Sequence, residues 1–103
     1  MIERHVTYNV IPGKEKEFEA LFKEVYSVAM SRQPGFVSVS LLKEQGKGSV
    51  YQMVIRFQSL ETAAAWRDSP DHKTLSPKIK ALYTESTVQV YEVIGEKGSK
   101  RDG

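Results

Sequence analysis

The stretch "FVSVSLLKEQGKGSVYQMVIRFQ", residues 36–58, decides the fold of this chain. Residues 36–44 alternate: Val37, Val39 and Leu41 fall on one side, with Phe36, Ser38, Ser40 and Leu42 on the other. "QGKG" at 45–48 is a flexible loop, and 49–58 returns with Tyr51, Met53, Ile55 and Phe57 on a fully apolar face. Val50, Gln52, Val54 and Arg56 line the opposite face. Period-two runs rich in β-branched and aromatic residues read as strands, and so short a connection makes them antiparallel neighbours.

Working outward from this hairpin, "PG" at 34–35 stops what precedes it, because a residue before proline avoids helix and glycine supplies turn geometry. Before it, residues 14–32 place Phe18, Leu21, Phe22, Val25, Val28 and Ala29 on one helical stripe. Residues 2–10 alternate as a first strand with Ile2, Val6, Tyr8 and Val10 on one side and His5, Thr7 and Asn9 on the other. After the hairpin, Ser59 caps a helix over 60–67. Ser69-Pro70 and Ser76-Pro77 each read as a fresh helix start, a capping hydroxyl followed by proline. The last strand is expected at 86–94, and the polar "GEKGSKRDG" at 95–103 is expected to be mobile.

The order strand, helix, strand, strand, broken helix, strand is the ferredoxin-like α+β plan, a four-stranded antiparallel sheet with helices on one face. A chain of 103 residues supports one domain with one core, here residues 1–94. Whichever sheet face the helices cover, apolar side chains remain on the other, so a face-to-face homodimer is expected.

Composition removes several function classes. Fifteen basic against thirteen acidic residues give a net charge of +2, no footprint for nucleic acid or an anionic membrane. "PGFVSVS" holds only a fragment of an RNA-recognition motif and falls on the wrong strand for one. With no cysteine, disulfides, thiolate metal sites and a cysteine nucleophile are excluded, and His5 and His72 alone make no metal cluster. The first ten residues alternate rather than forming an apolar run, so neither a signal peptide nor a membrane span is read there, and the cytoplasm is the expected address.

"AWRDSPDHK" at 65–73 gathers the one tryptophan and a histidine. His72 is a candidate general base, since imidazole takes a proton near neutral pH; it is also a common kind of solvated residue near a helix start. Capping explains Ser69 without catalysis. Tyr8 and Tyr51 can stack on an aromatic ligand or simply belong to strands, and Arg56 can hold an anionic substrate or form a surface ion pair. His5, Thr7 and Asn9 read as a polar strand face at an interface.

"IPGKEKEFEALF", "QPGFVSVSLLKE", "VYQMVIRFQSLETAAAWRDSPDH" and "VQVYEVI", taken in order over residues 2–94, resemble the antibiotic biosynthesis monooxygenase domain. The resemblance implies a dimeric α/β barrel with a pocket between helices and sheet in each protomer. It also implies that Trp66 faces that pocket, where family members often place a tryptophan. Members include cofactor-independent monooxygenases acting on polyphenolic or quinol-like substrates, and haem-degrading enzymes. The haem-degrading branch uses an asparagine on the first strand and a histidine ten residues beyond the tryptophan; those positions here are Val6 and Ser76. The expectation is therefore an aromatic substrate bound by Trp66, Tyr8, Tyr51 and Arg56, with His72 catalytic and no cofactor. Haem is disfavoured, with His72 as its one available axial ligand. A non-catalytic module binding haem or a hydrophobic metabolite, and a dimer without small-molecule chemistry, are the alternatives.

Overall fold

A computed structural model describes residues 1–98. The elements run β1 (Ile2–Val10), α1 (Glu15–Leu21), a π-helical turn (Phe22–Tyr26), α2 (Ser27–Ser31), β2 (Phe36–Lys43), β3 (Val50–Phe57), α3 (Leu60–Asp68), α4 (Pro70–Lys80) and β4 (Tyr83–Glu92). The strands form one sheet in the order β2-β3-β1-β4. Every neighbouring pair is antiparallel, as the ferredoxin-like plan requires. Among the described residues no helix is long and apolar enough to cross a membrane.

The helices cover the apolar face of the hairpin. Tyr51, Met53, Ile55 and Phe57 are buried together with Val6, Tyr8 and Val10 of β1, against Phe18, Phe22, Met30, Ala63 and Trp66. Phe36 also packs on this core, its ring 6.0 Å from that of Phe57. It was expected on the opposite side. The register skips between Phe36 and Ser38, so a bulge at Val37 turns that residue outward and Phe36 inward.

Residues 15–31 are helical throughout, but the expected stripe is only half right. Phe18, Phe22 and Ala29 are buried, whereas Val25 and Val28 are 42% and 38% exposed and Tyr26 and Met30 are buried in their stead. The π turn is the cause. Its wider ring admits one extra residue and rotates everything beyond it.

Gly35 joins this helical region to β2 at φ +80, and a Cβ there would lie 2.5 Å from the Thr62 side chain. Only glycine permits both the left-handed backbone and that approach. Thr62 in turn completes the start of α3: its N–H donates to Ser59 Oγ, and the Ser59 N–H donates to Thr62 Oγ1, each at 3.1 Å.

The second helical region breaks once. Ser69 and Pro70 begin α4 as expected, but Ser76-Pro77 starts nothing, and Pro77 sits inside the helix. Leu75 and Ile79, one turn apart on the buried side, hold the helix through the proline. The carbonyl left without its donor belongs to exposed Lys73 and is free to bond water. β4 begins three residues earlier than expected and ends at Glu92. Of the tail, Glu96 is held by Arg56 on the open sheet face at 2.5 Å. The expectation of mobility otherwise falls largely on 99–103, which lie outside the described residues.

Candidate active site

The break between α3 and α4 brings Trp66 and His72 together. Ser69 sits at the junction: its hydroxyl donates to the Trp66 carbonyl at 2.7 Å and accepts from the His72 N–H at 3.2 Å. One side chain thus closes the last turn of α3 and opens the first of α4, which fixes the distance between the two rings. Their centroids lie 5.1 Å apart with planes at 84°. Tyr26 completes the cluster, 5.6 Å from Trp66 and 6.4 Å from His72.

Trp66 is only 1% exposed, so it is a core residue as well as the wall of this cluster. His72 is half-buried. Burial pulls its pKa below the ordinary histidine value, and the positive charges of Arg4, Arg67 and Lys80 lower it further; Asp68 opposes them. The ring is consequently neutral near neutral pH, the form in which imidazole accepts a proton. Burial raises the Tyr26 hydroxyl to about 12, with Arg4 moderating the rise. It pushes Tyr8 higher still.

Towards this site Tyr8 packs at 5.1 Å on Phe18 and 5.0 Å on Tyr83, within electrostatic reach of Tyr26. Tyr51 and Arg56 are not brought to the site. The Tyr51 hydroxyl donates to Glu19, and Lys43 lies 5.8 Å from the centre of its ring. With Phe22 and Leu41 these residues border a separate hollow of about 340 Å³ that neither Trp66 nor His72 lines. Arg56 is on the open side of the sheet, bonded to Glu3 at 2.6 Å and Glu96 at 2.5 Å. Beside it His5 meets Glu3 at 2.5 Å and packs at a tilt against Tyr91. The hydrogen bonds from His5 and then Arg56 hold the Glu3 carboxyl below its usual range.

Two residues near the cluster were not singled out from the sequence. Tyr26 was hidden by the π turn, although Phe18, Phe22, Tyr26 and Met30 stand at strict four-residue intervals, a spacing that an α-helix cannot keep on one face. Arg4 interrupts the apolar side of β1, and a charge in such a row was the available signal.

The sequence pattern of the antibiotic biosynthesis monooxygenase family matches residues 1–78. The chain belongs to that family. Solved structures of the same shape include a variant of SnoaB, a cofactor-independent oxygenase from Streptomyces nogalater. It is 23% identical with a TM-score of 0.84, over 92% of this chain and 94% of that one. A variant of MhuD with two manganese protoporphyrin IX bound per active site is 22% identical with a TM-score of 0.81, over 96% and 100%. A conserved protein from Methanosarcina mazei is 18% identical with a TM-score of 0.79, over 87% and 89%. At such identities the likeness is one of fold. No curated protein matches the sequence.

Within this family fold, the residues at the cluster do not reproduce the set that the haem-degrading branch uses. Val6 is buried and carries no donor, Ser76 stands one turn beyond His72 on α4, and the His72 ring packs against Trp66 and Tyr26.

Proposed function

We propose that the chain is a small oxygenase that oxidises a planar, electron-rich aromatic such as a quinol or anthrone, without a bound cofactor, at the cluster between α4 and the sheet. The observation that carries this reading is the His72 imidazole held at right angles to a buried tryptophan, where burial and the surrounding cations disfavour its charged form. His72 takes a proton from the substrate's phenolic oxygen or activated carbon. The resulting anion gives an electron to dioxygen, the radical pair joins as a carbon peroxide, and the protonated His72 returns its proton to make the hydroperoxide. Loss of water then leaves a carbonyl, one oxygen atom in the product and the other in water. Trp66 and Tyr26 bound the cluster with Tyr8 at its edge, excluding bulk water and keeping the ring in one plane.

Oxygen uptake with a panel of quinols and anthrones tests this. Wild type is expected to turn over at least one of them, and His72→Gln to lose roughly 100-fold or more, the scale of general-base catalysis. Unchanged uptake in the variant removes His72 from the role. The likeness to porphyrin-bound MhuD supports a second reading, a binding module without turnover. A persistent Soret shift on adding hemin, with no oxygen uptake, would select it.

We also propose that two chains pair through the open face of the sheet. That face carries Val50 and Val54 of β3, with Leu42 49% exposed and Tyr91 45% exposed, around the Glu3–Arg56 pair. A sheet face of this mixed kind suits a two-fold axis. Sedimentation equilibrium should return the mass of two chains, and a single-chain mass at all concentrations would refute it.

A further inference from the structure

Arg4 sits on the helix-covered side of β1, between Ile2 and Val6 along the strand and opposite Ile55 and Val90 across it. All four neighbours are aliphatic. Arg4 is partly buried with its nitrogens keeping some access to solvent, and among the described residues it enters no ion pair and no side-chain hydrogen bond. Its field reaches Tyr8, Tyr26 and His72, which places it beside the aromatic cluster. Arg67 of α3 is close enough to repel it, and no carboxylate is among the groups acting on it. Asp68 acts on His72 from the same helix end.

A half-buried cation in an apolar row, with a second cation nearby, is an unfavourable arrangement for an isolated chain. Elsewhere in this molecule the same cost is removed locally, as Glu3 and Glu96 do for Arg56. Next to Arg4, β4 contributes Val88 and Val90, which share its side of the sheet by register and remain 48% and 53% exposed. An apolar strip, an unmatched guanidinium and an aromatic wall therefore meet at one place. A flat hydrocarbon ring suits the strip, and an anionic substituent on that ring suits the arginine, whose planar fork matches a carboxylate.

We propose that Arg4 is the anion-recognition residue of the site, and that its ligand is a planar aromatic bearing a carboxylate. This inference rests on the aromatic-ligand reading above and narrows it to an anionic class. A guanidinium that merely extends along the sheet to reach water would show no such preference.

Calorimetric titration of the full chain with naphthoate and with neutral naphthamide separates the two cases. Wild type is expected to bind naphthoate roughly tenfold or more tightly than the amide, the scale of a charge-assisted hydrogen bond. Arg4→Gln should abolish that preference and leave naphthamide affinity within about twofold, because the uncharged contacts remain. Arg4→Lys should keep part of it as a point charge without the fork. Raising the salt should weaken naphthoate alone, a check that holds even if Arg4→Gln fails to fold. Equal binding of both compounds to wild type, or a preference that survives in Arg4→Gln, overturns the role of Arg4 while leaving the aromatic site standing. Binding of neither compound overturns the aromatic site itself, and this proposal with it.

Discussion

Two corners of the helix-covered side of the sheet each hold a buried tyrosine beside a charge, and they differ in whether the charge is met. Tyr8 and Tyr51 are direct partners across β1 and β3. Tyr51 gives its hydroxyl to Glu19 and takes Lys43 over its ring, so both charges near it have a use within the chain. Tyr8 has no side-chain hydrogen bond among the described residues, and the charge on its side is Arg4, likewise without one. The hollow of about 340 Å³ is at the Tyr51 corner. Shape and internal pairing thus part company here: concavity lies where the polar groups pair within the chain, and the groups left to solvent lie where the rings are packed. Chemical need is the better guide to a site, because a satisfied corner gains little from a ligand.

The contrast is open to direct attack. Tyr51→Phe should cost about 1–2 kcal/mol in urea unfolding, since it removes a hydrogen bond to a charged acceptor and leaves the Glu19 carboxylate short of a donor. Tyr8→Phe should change stability by less than about 0.5 kcal/mol, because no partner is lost. Equal costs at the two positions would dissolve the distinction. The smallest expected effect is in the pH profile. His72 has a folded pKa below its ordinary 6.5, so the unfolded chain binds the proton first as pH falls through about 6.5. Stability should therefore decline from there down to the lower folded value, and His72→Gln should flatten that portion. The loss from Glu3 and Glu15, whose folded pKa values are also lowered, begins only below about 4.5 and should persist in the variant. An unaltered slope just below 6.5 would mean that His72 is not held as described.

Much of the fold was legible because the strands obey period two apart from the bulge at Val37 and the charge at Arg4, and the turns carry proline and glycine. The hairpin at 36–58, the helix start at Ser69 and the break before it all followed from local chemistry. The site was legible only in outline. Trp66 and His72 stand six residues apart in sequence, and their contact depends on the angle at which α4 leaves Ser69, which no propensity encodes. Tyr51 looked equivalent to Tyr8 from the strand pattern, because strand parity assigns a face but not the helix residue above it. The positions of Glu19 and Lys43 distinguish them. Pro77 misled for the opposite reason: local punctuation yielded to the burial of Leu75 and Ile79 around it.

The π turn at Phe22–Tyr26 has a consequence for how such a chain can vary. In a helix of one uniform pitch, the residues that fill the core and the residue that meets the site are locked in a single phase. Any drift in one swings the other. Here the extra residue divides the helix into two phases, α1 set by Phe18 and the sheet, α2 set by Tyr26 and the rings of the break. The first half is free to exchange one core side chain for another while the aim of Tyr26 stays fixed, so the scaffold and the cluster it supports can diverge separately.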